Sequence, residues 1–245
     1  MRELRAMADQ PLFAGKAVLV TGCGQELSEA TARMLAQRGV EGVLIGGRAI
    51  EQGQAVAAII SAAGCEAHFQ PTDLTKLEDC VALIAKAEEA FGRLDAVVFS
   101  AGMVALRGHP EPPAEQLDHL HAVNVRAPFC LMRRAAELMR RTACPGTLIS
   151  VLGLPAEGDP LLVAAYRATQ WALASLTGSF ADAWAEDGLR VLGLDVTAMA
   201  SGRADARAQL QAITGAIALL ATDPQAAASG AVVEIDRLLP LAAPG

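Results

Sequence analysis

The chain alternates short apolar runs with longer helical patterns, and that alternation restricts the fold more than any other feature. Runs suited to strands fall at 16–21, 42–46, 66–70, 94–100, 146–151, 189–195 and 231–235. Helical patterns lie between them at 27–38, 49–64, 76–92, 114–141, 164–187 and 208–222. Most of the apolar runs lack the period-two alternation of a half-solvated strand, as expected where a parallel sheet is covered on both faces. Strand then helix, repeated, implies right-handed crossovers. The expected architecture is α/β: a doubly wound, Rossmann-type parallel sheet of about seven strands with helices on both faces. No linker, repeat or low-complexity segment interrupts the series. Residues 1–245 therefore read as one domain, with the first dozen residues and the tail from Leu238 to Gly245 as extensions.

Composition narrows the chemistry. A chain of 245 residues can bury a large core, and at 53% hydrophobic but only 4% aromatic that core must be built mostly from Ala, Val, Leu and Ile. A net charge of −7 argues against a nucleic-acid backbone as partner. Five cysteines, Cys23, Cys65, Cys80, Cys130 and Cys144, form no Cys-x-x-Cys pair and read as reduced thiols. The start, Met1-Arg2-Glu3-Leu4-Arg5, leads into no apolar run like a signal peptide, and no stretch has the length of a membrane span. A cytoplasmic location is expected. His119 and His121 stand two apart on a predicted helix and face different ways; Cys65 and His68 have no further ligands nearby. No metal is assigned.

Two segments carry candidate chemistry. The first strand runs into Thr21-Gly22-Cys23-Gly24-Gln25-Glu26-Leu27-Ser28, a loop at the entry of a helix. Helix N-termini bind anions through free amides and the helix dipole. The second segment is Tyr166-Arg167-Ala168-Thr169-Gln170, which holds the only tyrosine of the chain. Residues i and i+4 share a helix face. A phenol has a reference pKa near 10, and a neighbouring ammonium is what brings such a group towards neutral pH. Gln170 can hydrogen-bond but carries no charge.

In these segments the chain resembles the short-chain dehydrogenase/reductase family, and the resemblance extends over residues 12 to 238. It implies a catalytic set of Asn, Ser, Tyr and Lys, onto which Asn124 and Tyr166 match; the serine and lysine positions are Gly153 and Gln170. Ser150 is offset from the serine position. The family's dinucleotide loop implies cofactor-binding positions at Thr21 and Gly22, while Glu26 and Ser28 stand at its other two glycines. Those glycines admit the pyrophosphate to the backbone and allow close helix–sheet packing. Glu26 either lies over the first-turn amides in the phosphate's place or is an ordinary acidic residue of a helix first turn; on both readings it opposes a pyrophosphate. Arg48 after Gly47 corresponds to an NADP(H)-type arrangement, or is a solvated start of a surface helix. Asp73 and Leu74 match the adenine-contacting pair, and Ala101 and Gly102 follow Ser100 where Asn-Ala-Gly is usual. Val196-Thr197 replaces the family's Pro-Gly, the segment Ser201 to Gln211 is short for a substrate flap, and Arg237-Leu238 replaces a terminal glycine pair.

The resemblance therefore implies vestigial sites: Tyr166 and Asn124 for catalysis, and Thr21, Gly22, Arg48, Asp73, Leu74, Ala101 and Gly102 for cofactor, blocked by Glu26. No bound cofactor is expected, and NADP(H) or NAD(H) if any. Relatives assemble through the two long helices, here about 114–141 and 164–187, and through the last helix and strand. The family also contains paired active and degenerate subunits, of which the 2-(hydroxyphenylmethyl)succinyl-coenzyme A dehydrogenase type is one. The leading expectation is a non-catalytic subunit that supports an active homologue in a hetero-oligomer, expected to be a heterotetramer. The alternatives are an atypical NADP(H)-dependent oxidoreductase on a hydroxyl or carbonyl substrate, using Tyr166 and Arg48, and a metabolite-sensing regulator.

Overall fold

A computed structural model describes residues 13–100, 113–153, 160–201 and 205–242. Its seven strands form one parallel sheet. In chain order they are β1 (Ala17–Cys23), β2 (Gly42–Gly47), β3 (Glu66–Pro71), β4 (Ala96–Phe99), β5 (Thr147–Leu152), β6 (Arg190–Asp195) and β7 (Val232–Glu234), and their spatial order is β3-β2-β1-β4-β5-β6-β7. All six neighbouring pairs run parallel. The expected architecture is observed.

Eight α-helices are described: α1 (Glu26–Gln37), α2 (Ile50–Ala62), α3 (Leu77–Phe91), α4 (Pro113–His121), α5 (Ala127–Arg141), α6 (Pro160–Ala183), α7 (Ala206–Thr222) and α8 (Ile235–Ala242). On one face of the sheet, Leu27 and Leu35 of α1, Val56 and Ile60 of α2, and Ile213 and Ile217 of α7 pack over Val18, Val20, Ile45, Val98 and Leu192. On the other, Leu83 of α3, Leu131 and Met132 of α5, and Leu173 of α6 pack over Leu19, Leu44, Val97 and Leu148. Strands β2, β4 and β5 are buried at every residue, which is why their sequences show no alternation.

The structure departs from the sequence reading in three places. The helix expected over 114–141 is divided by a π turn at Ala122–Arg126, with Asn124 at its centre. The last strand ends at Glu234, and the residues read as its continuation and an extended tail instead begin α8, whose Ile235 and Leu238 are buried. The helix expected to start at 164 starts at Pro160 and ends at Ala183, followed by a 3-10 turn at Ala185–Asp187. Among the described residues no helix is long and apolar enough to cross a membrane, and no cluster of His, Cys, Asp and Glu could hold a metal.

The N-terminal end of the sheet is fastened by one carboxylate. Asp95 Oδ2 accepts from the Ala17 amide at 2.9 Å and from Arg93 Nε at 2.8 Å. Its Oδ1 accepts from Arg93 Nη2 at 2.7 Å and from the Cys144 thiol at 3.1 Å. Burial pushes the Asp95 carboxyl up, but these bonds outweigh it and hold it below the usual carboxylate range. The same burial, reinforced by Asp95, pushes the Cys144 thiol up.

Candidate active site

The strand order reverses direction between β1 and β4, which opens a crevice at the carboxyl ends of the strands where ligands of such sheets bind. Its β1 side is built by the loop into α1. Gly22 and Gly24 have φ of 103° and 100°, a conformation that other residues rarely adopt, so the loop depends on both glycines. Ser28 is fully buried, and its hydroxyl reaches the Gly22 carbonyl and, at 3.0 Å, the Gln25 carbonyl. A side chain that a glycine would lack is thus packed behind the loop and bonded to it.

Glu26 is the first residue of α1 and is exposed. Among the described residues no hydrogen bond joins its carboxylate to the first-turn amides. Of the two readings of Glu26, this favours the ordinary acidic residue of a helix first turn, whose carboxylate the helix dipole stabilises in water. The α1 cap, Gln25, makes no side-chain capping bond either.

The adenine side retains more of its frame. Arg48 is exposed just past β2. Asp73 Oδ1 accepts from the Thr75 amide at 3.0 Å and its hydroxyl at 2.8 Å, while Asp79 accepts from the Asp73 amide at 2.8 Å. Partial burial pushes the Asp73 carboxyl up; the Thr75 bonds, with the charges of Lys76 and Arg48, override this and hold it low. Leu74 is half-buried against the core of the α5 face. Thr21 is buried, with its hydroxyl directed at the Val98 carbonyl at 3.5 Å, and Ser100 donates to the Thr21 carbonyl at 2.7 Å. Ala101 and Gly102 lie outside the described residues.

The other side of the crevice is built by the ends of β5 and β6 and by α6. Asn124 is buried in the π turn and donates through Nδ2 to Thr169 Oγ1 at 3.0 Å; Thr169 in turn donates to the Tyr166 carbonyl at 2.7 Å. The two matched members of the family's catalytic set are therefore tied through a residue that sequence reasoning passed over. Its one signal was a threonine on the buried side of an apolar helix, three residues after the tyrosine. Tyr166 itself is buried, at 2% exposure.

The two substituted positions meet. The Gly153 amide donates to Gln170 Oε1 at 3.1 Å. Gly153 has φ of 73°, and a Cβ added there would sit 2.6 Å from Asp195 Oδ1, 3.0 Å from the Thr197 amide nitrogen, and against the Thr197 hydroxyl. Asp195 Oδ1 accepts from the Thr197 amide at 2.8 Å, and Val196 donates back to the Leu152 carbonyl at 2.9 Å. Asp195 and Thr197 were not foreseen as site residues; Thr197 had been read only as the absence of a Pro-Gly turn. Ser150 lies within β5, fully buried, and its hydroxyl has no hydrogen-bond partner among the described residues. It does not substitute for a hydroxyl at position 153.

Comparison with known proteins agrees with this layout. Residues 16–211 match the short chain dehydrogenase family. An uncharacterized oxidoreductase of Thermotoga maritima is 34% identical over 185 residues, covering 73% of this chain and 70% of that protein. The cis-4-hydroxycyclohexanecarboxylate dehydrogenase of Sinomonas cyclohexanicum is 28% identical over 246 residues, covering 91% and 96%. Among solved structures, a metagenomic short-chain oxidoreductase in complex with NADP superposes with a TM-score of 0.76 at 31% identity, over 91% of this chain and 98% of that one. On this match over most of its length, the chain belongs to the short-chain dehydrogenase family.

Proposed function

We propose that this chain is a non-catalytic subunit of a short-chain dehydrogenase/reductase assembly, with an intact homologue supplying the chemistry. One observation carries the reading: the Gln170 carboxamide is spent on the Gly153 amide. The position four residues after Tyr166 thus holds a neutral acceptor turned to the backbone, and the facing position has no side chain. In the family pattern a lysine at that position puts a charge beside the phenol, and Gln170 supplies none.

The cofactor frame points the same way in part. Arg48, Asp73 and Leu74 fit the adenosine end of a dinucleotide. Ser28 fills the volume behind the loop, and the exposed Glu26 carboxylate stands at the helix end that would meet a pyrophosphate. The pyrophosphate end does not fit, so no step is assigned through a nicotinamide. For assembly, α6 presents Leu161 and Trp171, 80% and 78% exposed, and Leu117 of α4 and Phe129 of α5 are also exposed. Apolar side chains of that size left in water mark a surface that takes a protein partner.

The test is co-expression with an intact short-chain dehydrogenase from the same source, followed by affinity capture of this chain. The expected result is a stable complex whose activity is unchanged by Tyr166→Phe in this chain, while the isolated chain shows no NADPH binding by calorimetry. Micromolar binding of NADPH to the isolated chain overturns the reading.

A second reading has one observation in its favour. The Thr197 hydroxyl occupies the space beside Gly153 into which a side chain would project, so a hydroxyl is present there from the 3-10 turn that follows β6. With Tyr166 as acid and Arg48 at a 2′-phosphate, the chain would be a slow NADP(H)-dependent oxidoreductase, in line with the named relatives that are dehydrogenases. Loss of turnover in Tyr166→Phe of a purified, active sample establishes this reading in place of the first.

A further inference from the structure

We propose that Gly153, Gln170, Asp195 and Thr197 form an interlocked closure at the β5–β6 rim of the crevice, in which position 153 accepts a side chain only after Thr197 is cleared. The inference concerns the coupling of these residues and holds whether or not the chain turns over a substrate. Its failure and the failure of the subunit reading are thus separate events.

The argument begins with the backbone. Gly153 follows β5 directly and sits in the left-handed region at φ 73°, where an L side chain is strained even in open space. The space is not open. Thr197 and Asp195 stand against the missing Cβ, with the Asp195 oxygen at 2.6 Å and the Thr197 nitrogen at 3.0 Å. Neither can retreat freely. Thr197 is held by its own amide to Asp195 Oδ1 at 2.8 Å, and the Val196 amide pins that turn to Leu152 at 2.9 Å.

The third side is Gln170. Its Oε1 is an acceptor 3.1 Å from the Gly153 N–H. A lysine there offers only donors, so it would leave that N–H facing a cation with no acceptor. The glutamine therefore suits this glycine, and the glycine suits this threonine. Three positions that differ from the family pattern are one packed and hydrogen-bonded unit, although they lie on three different elements. Residues that share partners in this way couple energetically instead of adding.

Thermal unfolding of four chains reads the coupling: the parent, Gly153→Ala, Thr197→Gly and the double variant. Gly153→Ala lowers Tm by about 5 °C or more, from left-handed strain plus the clash. Thr197→Gly alone also lowers Tm, since a glycine costs more chain entropy on folding. In the double variant part of the Gly153→Ala loss returns, because the Thr197 hydroxyl is gone while the left-handed strain and the Asp195 contact remain. If the double variant loses the sum of the two single losses, the interlock is overturned. Should Gly153→Ala alone give no folded protein, folding of the double variant supports the proposal and its failure to fold overturns it.

A second arm tests the hydrogen bond without touching the clash. Gln170→Glu keeps an acceptor for the Gly153 amide, and Gln170→Lys removes it. The expected order of Tm is parent and Gln170→Glu together, with Gln170→Lys lower by about 3 °C or more. Equal Tm values for the Glu and Lys variants remove Gln170 from the unit.

Discussion

The two ends of the sheet are fastened by different means. At the base, Asp95 joins the starts of β1 and β4 and the segment before β5, through the Ala17 amide, the buried Cys144 thiol and the exposed Arg93 guanidinium. At the rim, the ends of β5 and β6 and the side of α6 are joined by the Gln170 carboxamide, the Asp195 carboxylate bonded to the Thr197 amide, and a bare glycine. The rim holds the positions that match the family's catalytic set, and the residues found there satisfy one another through local contacts. The difference teaches that the two ends of one sheet are secured by separate sets of residues, an ion-paired carboxylate at the base and close packing at the rim.

The strongest test of that contrast is Asp95→Ala. It leaves the Ala17 amide and Arg93 without their acceptor, and a loss of about 2–4 kcal/mol is expected from urea unfolding. Acid should reveal the same group. The Asp95 carboxyl is held low in the folded state, so its contribution is present above the unfolded value of about 4 and disappears as pH falls through the folded value. Stability measured from pH 5 downward should decline in the parent and decline less in Asp95→Asn. A parent curve no steeper than that of the variant would remove Asp95 as the fastener.

At the rim, Asn124→Ala removes one buried donor to Thr169 and should cost about 1–2 kcal/mol, less than the change at Asp95. A larger cost at Asn124 than at Asp95 would invert the comparison. Glu26→Gly with Ser28→Gly should bring NADPH binding, absent by calorimetry in the parent, to a level that calorimetry reads. No change would mean that the loop is not what opposes the dinucleotide. The smallest effect belongs to the surface. Arg141 pairs with Glu88 through two bonds at 2.8 and 2.9 Å, both side chains being exposed, and Arg141→Ala should leave Tm where it is.

Much of the scaffold was legible in the sequence, because burial on both faces writes itself into continuous apolar runs. All seven strands were anticipated, most to within a residue or two of their ends, and so were the loops that follow β1 and β2. The crevice was legible only position by position. Spacing from Tyr166 located Gly153 and Gln170 as substitutions, but it could not say that the two bond to each other. Nor could it say that Thr197, 44 positions beyond Gly153, would stand where a side chain is missing. Such contacts depend on which strand ends lie side by side, and the order β4-β5-β6 is what brings them together. Glu26 stayed open between two readings for a simpler reason: a carboxylate at a helix start is stabilised without touching the amides, so its identity did not determine its direction. The π turn escaped because its residues keep the apolar spacing of an ordinary helix.

That π turn makes the helical arm sensitive to length. Each residue turns an α-helix by about 100°, and a π turn accommodates one residue more than the α repeat does. Deleting a single residue within Ala122–Arg126 would let the segment wind as plain α-helix. That deletion would leave Pro113–His121 in phase with Ala127–Arg141, whereas a deletion elsewhere in the arm would rotate it by about a quarter turn. In that second case Gln116 and Leu120, now buried, would swing away from the core, and the exposed Leu117 would move with them. Substitutions in this arm can be absorbed one at a time, whereas a change in its residue count outside the π turn would rephase one whole end of it.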